Sequence, residues 1–196
     1  MTRRVATLGD SITAGSPLWD PDPLIRARIG GALDERSQWQ WWAARRHDGL
    51  AFRNCGIYGQ RTDEIAMRLD ACAAGADVLV VQGGINDIAQ GKPVAAAAEN
   101  LRAMVRRGRA LGLSVVVADV LPWNGGYPGN VAPIDELNQL IAVMATEESV
   151  RVLPFHDTLL DPERPGCMCD DWTDDGDHPR VEGYRRLGEQ AFALPD

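Results

Sequence analysis

Apolar residues recur along this chain in two alternating patterns, and their alternation predicts the fold. Short apolar runs typical of β-strands occupy residues 5–8, 51–57, 77–82, 114–120 and 150–155. The segments between these runs carry apolar residues at helical spacing, as in Ile134, Leu137, Ile141 and Met144. Strands that alternate with helices predict right-handed crossovers and a parallel sheet covered on both faces. The pattern therefore predicts an α/β protein, a three-layer α/β/α sandwich.

Two further helical series support this prediction, namely Ile65, Leu69 and Cys72, and Val94, Leu101 and Val105. A last helix is expected to start at Pro179 and to present Tyr184, Leu187 and Ala191. The third and fourth apolar runs lack polar alternation, as expected for strands covered on both sides. With 196 residues, no internal repeat and no interdomain linker, the chain is expected to form one domain over residues 1–196. Three long connections, at residues 16–36, 122–133 and 157–177, are candidates for functional loops.

Charge and hydropathy exclude several function classes. The net charge of −8 argues against a nucleic-acid partner, which favours clustered basic surface. No apolar run approaches the length of about 20 residues that spans a bilayer, so we expect no membrane association. The first strand begins almost at Met1, which leaves no room for a cleavable leader. If this start is the native one, the location is cytoplasmic.

Four cysteines do not make a disulfide framework in a chain of this length. Cys55 and Cys72 lie in apolar contexts and are expected to be reduced core residues. Cys167 and Cys169 are interpreted as a surface dithiol, because the spaced partner ligands of a zinc site are missing. The acidic residues of the same loop lack the ordered spacing of a calcium site. No metal is expected.

Polar residues follow three of the predicted strands where each strand ends. Ser11 leaves the first strand, and clusters around Gly59 and Asn86 leave the second and third. In an open parallel sheet, ligands bind outside the carboxyl ends of the strands. A serine at this edge is a candidate nucleophile, provided that a base takes its proton.

The chain has three histidines that could act as this base. His47 ends a predicted helix beside two arginines, and a solvated terminal residue explains it. His156 ends the fifth strand next to an aspartate and is a competitor. We favour His178, because Asp175 three residues earlier can bind its Nδ1–H and leave Nε2 for Ser11.

A serine nucleophile also needs donors for the oxyanion of its tetrahedral intermediate. The candidates are the backbone N–H of Ser11, the close backbone approach that Gly59 allows, and the side-chain amide of Asn86. Gly56 is a second glycine in the same block. Residues that could line the substrate pocket are Asp10, Trp123, Asn124, Tyr127 and Trp172, although local hydrogen bonding in the serine turn also explains Asp10.

These blocks together resemble the SGNH (GDSL) hydrolase family. The matching segments, in order, are Gly9-Asp10-Ser11-Ile12-Thr13, Gly59 within residues 54–62, Gly84-x-Asn86-Asp87, and Asp175-x-x-His178-Pro179. The resemblance covers residues 5 to about 192. It implies a flavodoxin-like five-stranded sheet and ester hydrolysis through an acyl-enzyme, without metal or cofactor. It also implies that Ser11 is the nucleophile, His178 the base and then acid, and Asp175 its orienter, with Ser11, Gly59 and Asn86 forming the oxyanion hole.

The resemblance favours a serine esterase acting on a small-molecule ester with a short acyl group, because the chain has no lid domain. Alternatives within the family are a sugar or xylan O-deacetylase and an acyl thioesterase. Outside enzymology, a non-catalytic binding module on the same fold is a further alternative. A flavodoxin-like nucleotide binder ranks last, since neither G-x-G-x-x-G nor a Walker loop is present. The sequence does not specify an oligomeric state.

Overall fold

A computed structural model describes residues 2–195 of the chain. Five strands alternate with helices along it. The strands are β1 (Arg3–Gly9), β2 (Leu50–Gly56), β3 (Val78–Val81), β4 (Ser114–Ala118) and β5 (Arg151–Leu153). The α-helices are α1 (Ser11–Ala14), α2 (Pro23–Ile29), α3 (Trp39–Arg46), α4 (Thr62–Ala66), α5 (Leu69–Ala73), α6 (Ile85–Ala89), α7 (Val94–Ala110), α8 (Val131–Glu147), α9 (Phe155–Leu159) and α10 (Val181–Arg186). A π-helical turn, Leu187–Ala191, continues α10.

The strands form one parallel sheet in the order β2-β1-β3-β4-β5. All four neighbouring pairs are parallel, with Leu8 opposite both Cys55 and Val81. The predicted α/β class and the five-stranded flavodoxin-like sheet are confirmed. Because all strands point the same way, the residues that follow them meet at one edge of the sheet.

Alternate strand residues supply two separate cores. Leu79 and Val81 face a layer made of α4, α5, α7 and α8, whereas Val78 and Val80 face a layer made of α3, α9, α10 and the π-helical turn. Trp39 of α3 is fully buried in the second core, where its ring contacts three phenylalanine rings. Burial on both sides explains why the central strands are apolar without alternation.

The structure differs from the sequence-based expectations at several places. The long connection at residues 16–36 contains helix α2, which begins at Pro23 behind the N-cap Asp22. The last helix begins at Val181, two residues after Pro179. Cys55 and Cys72 are joined in a disulfide, so the expectation of two reduced thiols was wrong. Neither member of the expected surface dithiol is fully exposed: Cys167 is buried and Cys169 half-buried.

Cys55 ends β2 and Cys72 lies on α5, which packs beside the first two strands. Their Cα atoms lie 6.1 Å apart, within the usual range for disulfides. The chain segment between them contains the turn that follows β2.

Across the described part of the chain, every helix falls short of the length and apolar character that a bilayer crossing requires.

Candidate active site

Ser11 lies at the start of α1, directly after β1. Asp10 is the N-cap of this short helix, and its Oδ1 accepts a hydrogen bond from the Ile12 N–H at 2.9 Å. Gly15 closes the helix in the left-handed region, with φ of 104°. The turn therefore presents the Ser11 hydroxyl at the carboxyl edge of the sheet.

A buried polar network lies beneath this turn. Gln82, the residue that follows β3, donates from Nε2 to Asp10 Oδ2 at 3.1 Å. Its Oε1 accepts from the Asp10 N–H at 3.2 Å and from Thr13 Oγ1 at 2.8 Å. Gln40 adds donations to Thr7 Oγ1 and to the Thr13 carbonyl. Burial raises the pKa of the Asp10 carboxyl to about 6, against the opposing effect of the Ile12 and Gln82 hydrogen bonds.

His178 and Asp175 approach the serine from the loop before α10. His178 Nε2 lies 3.2 Å from Ser11 Oγ, and its Nδ1 lies 2.9 Å from Asp175 Oδ2. Asp175 Oδ1 accepts from the backbone N–H groups of His178 and Asp177, at 2.7 and 2.8 Å. Burial raises the pKa of the Asp175 carboxyl, but these hydrogen bonds outweigh it and hold the pKa below its usual range. The structure therefore brings Ser11, His178 and Asp175 into one hydrogen-bonded chain.

The other two histidines are placed elsewhere. His156 lies on α9, where its Nδ1 is 3.2 Å from Asp157 and its backbone N–H binds Asp119. His47 follows α3, and its ring packs against Phe192. Neither hydrogen-bonds to Ser11, so the geometry separates His178 from its competitor His156.

Asn86 lies on α6, at the edge of the same cleft. Its Nδ2 donates one hydrogen bond to the Gln60 carbonyl at 3.0 Å. An amide nitrogen carries two hydrogens, so this contact fixes the orientation of the side chain and leaves one N–H available.

Gly56 and Gly59, the two glycines around the turn after β2, are required for different structural reasons. A Cβ at Gly56 would overlap the backbone of Ala14, and the Gly56 N–H already binds Asn54 Oδ1 at 2.9 Å. Gly59 has open space around it and a φ of +75°, which side chains rarely adopt. Within residues 2–195, the N–H groups of Ser11 and Gly59 donate to no other protein group. Gly59 therefore remains the better candidate of the two as an oxyanion donor.

Arg68 ties the β2 turn to the neighbouring strand ends. Its guanidinium donates to the Gly9 carbonyl at 3.0 Å, to the Cys55 carbonyl at 2.6 Å and to Gln60 Oε1 at 2.8 Å. Gln60 also accepts the Asn86 amide through its backbone. The turn is therefore held from two sides.

Asp87, next to Asn86, holds the start of α4. Its carboxylate accepts from Thr62 N and from Thr62 Oγ1, at 2.9 and 2.8 Å. The Asp87 side chain thus links the segment after β3 to the segment after β2, on which Gly59 lies.

The cleft at Ser11 is small, with a volume of about 140 Å³. Its walls are Ser11, Ile12, Tyr58, Ile85, Asn86, Ala89, Trp123, Asp177 and His178. Trp123 is held in place by a hydrogen bond from its indole N–H to the Asp177 carboxylate. Of the predicted pocket residues, Trp123 is the one that lines this cleft.

The other four predicted pocket residues do not line the cleft, and each has another role. Asp10 is fully buried beneath the serine turn. Asn124 bonds through its side chain to the backbone N–H and carbonyl of Met168. The Arg186 guanidinium lies over the Trp172 ring, 4.0 Å from the ring centroid. Tyr127 is 52% exposed on the loop surface. The sequence placed these residues near the site but did not indicate the directions of their side chains.

Three residues around the site were not singled out from the sequence. Gln82 was detectable, because it is a polar residue at the end of an otherwise apolar strand run. Tyr58 and Arg68 carried no such signal, since their contacts depend on how the β2 turn folds back. Within residues 2–195, the His, Cys, Asp and Glu side chains form no group of three or more that could hold a metal ion.

A family model described as the GDSL-like lipase/acylhydrolase family matches residues 7–186. A G-D-S-L family protein from Desulfitobacterium hafniense has a similar structure (22% identity, 96% of this chain and 97% of that one, TM-score 0.77). So does the lipase/acylhydrolase from Enterococcus faecalis (23% identity, 95% and 92% coverage, TM-score 0.72). At these identities the likeness shows a shared fold. In sequence, the chain matches no curated protein.

Proposed function

We propose, because this chain belongs to the GDSL-like lipase/acylhydrolase family, that it hydrolyses small carboxylic esters with short acyl groups through an acyl-enzyme intermediate. The observation that supports this best is the hydrogen-bonded chain from Asp175 through His178 to Ser11. A serine hydroxyl, a base in contact with it and a carboxylate on the far side of that base form the arrangement that activates a serine nucleophile.

In the first step, Ser11 Oγ attacks the ester carbonyl carbon while His178 Nε2 takes its proton. The carbonyl oxygen gains the negative charge, and the N–H groups of Ser11, Gly59 and Asn86 are its proposed donors. Asp175 keeps the Nδ1–H of the imidazole pointing toward itself and stabilises the imidazolium that forms.

In the second step, the tetrahedral intermediate collapses. The bond from the carbonyl carbon to the alcohol oxygen breaks, and His178 gives its proton to that oxygen. Water then attacks the acyl carbon of the ester on Ser11 while His178 takes a proton from the water. When the second intermediate collapses, the bond from this carbon to Ser11 Oγ breaks, and His178 returns the proton to Oγ. The products are the alcohol and the carboxylic acid.

The size of the Ser11 cleft supports a short acyl group. Its volume of about 140 Å³ lies well below the range of about 300–1,000 Å³ that is usual for drug-sized ligands. Ile85, Ala89 and Trp123 give it an apolar lining suited to a few methylene groups.

The test compares the wild-type protein with Ser11→Ala on 4-nitrophenyl esters from acetyl to octanoyl. We expect kcat/KM to be greatest at acetyl or butyryl, and Ser11→Ala to lower it by roughly 10⁴-fold or more with unchanged circular dichroism. Ser114→Ala, at the opposite end of the sheet, is the matched control. A serine-reactive fluorophosphonate should add once to the wild type, at Ser11. A fully active Ser11→Ala protein would contradict the proposal, and inactivity of the wild type would direct the assay to acetylated sugars and acyl thioesters.

The cellular location stays a prediction from the sequence. The Cys55–Cys72 disulfide weighs against the expected cytoplasmic location, because such bonds persist mainly in oxidising compartments. Cell fractionation with immediate thiol alkylation tests this, since a cytoplasmic protein should have both thiols blocked.

A further inference from the structure

A second cavity adjoins the Ser11 cleft on the far side of Tyr58. Its volume is about 410 Å³, and its walls include Trp19, Ile25, Arg28, Ile29, Tyr58 and His178. His178 and Tyr58 line both cavities, so these two side chains border both spaces. The Tyr58 ring is stacked beside that of His178, with centroids 5.8 Å apart and planes inclined by 27°.

We infer, on the basis of the proposed function, that this second cavity binds the alcohol portion of the ester and selects an alcohol that contains a ring and carries no negative charge. Of the two cavities, Asn86 lines only the Ser11 cleft, so we place the carbonyl oxygen and the acyl group of the ester in that cleft. His178 must protonate the departing alcohol oxygen, and the alcohol has to extend away from the acyl group. The second cavity, which His178 also lines, is the space that we assign to this alcohol.

The sizes of the two cavities agree with this division. The second cavity falls within the range of volumes that bind whole small molecules, whereas the Ser11 cleft falls below it. The preferred ester should therefore combine a small acyl group with a larger alcohol.

The lining of the second cavity indicates an apolar, planar occupant. Trp19, Ile25 and Ile29 offer aromatic and aliphatic surface along α2 and the segment before it. The charged groups on the walls have opposite signs, because Arg28 faces a space that the carboxylates of Asp20 and Asp175 also border. One guanidinium against two carboxylates leaves an excess of negative charge, which disfavours an anionic alcohol.

The wall formed by residues 16–29 is tied down by several contacts. The Arg26 guanidinium lies 4.9 Å from the centroid of the Trp19 ring and donates to the carbonyls of Asp20 and Pro21, at 2.7 and 2.8 Å. The Tyr184 hydroxyl donates to the Ser16 carbonyl at 2.8 Å. A wall that is already ordered loses little conformational entropy when a ligand binds.

The experiment uses two acetates of primary alcohols, 2-phenylethyl acetate and butyl acetate, whose leaving groups have similar intrinsic reactivity. We expect wild-type kcat/KM to be roughly tenfold higher for the phenylethyl ester, as the burial of a ring predicts. Ile29→Ala should reduce this ratio severalfold. Leu24→Ala removes a comparable side chain from the same helix, where it is 71% exposed, and should leave the ratio unchanged.

A binding measurement separates this inference from the proposed function. Titration of the Ser11→Ala protein with 2-phenylethanol should show saturable binding that Ile29→Ala weakens and Leu24→Ala does not. Equal hydrolysis of both acetates, unaffected by Ile29→Ala, would overturn the alcohol site and leave the esterase proposal standing. Binding of 2-phenylethanol in a wild type that hydrolyses no ester would support the ring-binding cavity and overturn the esterase proposal. If the wild type hydrolyses no ester and 2-phenylethanol does not bind, both the esterase proposal and the alcohol site are overturned.

Discussion

The two halves of the candidate site are held in place by different kinds of contact. Ser11 stands on a turn whose hydrogen bonds come from distant parts of the chain, since Gln82 lies 69 and 72 residues from its partners Thr13 and Asp10. The bonds that His178 makes within its own loop span three to five residues, to Asp175 and Thr173. The neighbouring residues Gly176 and Asp177 accept hydrogen bonds from Asn124 and Trp123. The first half is buried, whereas the Asp175 side chain in the second is 45% exposed.

Because of this difference, substitutions in the two halves of the site should have different effects on stability and on activity. A change beneath Ser11 disturbs groups that are shut off from water, so it should affect folding as well as turnover. A change in the Asp175 loop leaves groups that water can reach, so it should affect turnover far more than stability. Substitutions in each half test the comparison.

The largest effect is expected at Asp175. Asp175→Asn keeps an oxygen for the backbone donors but removes the charge that orients and stabilises the imidazole, so kcat should fall by roughly 10⁴-fold. The free energy of unfolding at neutral pH should fall only slightly, by the contribution of the charged carboxyl whose pKa is lowered in the folded chain. Asp174→Asn, an exposed aspartate paired with Arg180 in the same loop, is the control and should retain activity. A large loss of stability in Asp175→Asn would break the comparison.

Asn86→Ala is expected to lower kcat by roughly 10²–10³-fold, the usual consequence of removing one oxyanion donor. KM should stay close to its wild-type value, because the contact strengthens in the transition state. Steady-state kinetics on the preferred ester measure both constants. A raised KM with an unchanged kcat would assign Asn86 to substrate binding and remove it from the oxyanion hole.

Gln82→Leu tests the buried half. The substitution leaves Thr13 Oγ1 and the Asp10 carboxylate without their side-chain partner, and each buried group left unpaired costs about 1–3 kcal/mol. Chemical denaturation should therefore show a lower free energy of unfolding, together with a lower kcat as the Ser11 turn loosens. Gln139→Leu on the surface of α8 is the matched control. If Gln82→Leu keeps the stability of the wild type and only lowers kcat, the buried Ser11 half behaves like the Asp175 loop and the comparison fails.

The smallest effect concerns pH. Burial raises the pKa of both Asp10 and Asp119 to about 6 in the folded chain, against about 3.9 when unfolded. Between these values the folded chain holds protons that the unfolded chain has released, so the free energy of unfolding should fall as pH rises from about 4 to about 6. Asp175 acts oppositely: its lowered pKa gives stability that is lost as pH falls below about 4.

Asp10→Asn should flatten the fall between pH 4 and 6, which denaturation at several pH values measures. Asp22→Asn, at the exposed N-cap of α2, should leave that part of the profile as steep as in the wild type. An unchanged slope in Asp10→Asn would show that the buried carboxyl does not couple folding to protons.

The parts of the fold set by periodicity could be predicted from the sequence, whereas those set by side-chain direction could not. The five strands and helix α8 were predictable, because apolar spacing reflects burial directly. The chemical blocks around Ser11 and Asn86 were visible because each follows an apolar run, and His178 because Asp175 precedes it by three residues. The cavity wall at Trp19 depends on tertiary contacts, and the Cys55–Cys72 pairing depends on the packing of α5 against the strands. Neither leaves a local signature in the sequence.

The disulfide has a consequence for the integrity of the chain. The closed loop from Cys55 to Cys72 contains both Gly59 and Arg68, and its ends are 17 residues apart in sequence. A protease that cuts once inside this loop, at Arg61 for example, would leave a single covalent molecule with the β2 turn still anchored at both ends. Two fragments would separate only after a reductant opened the bond.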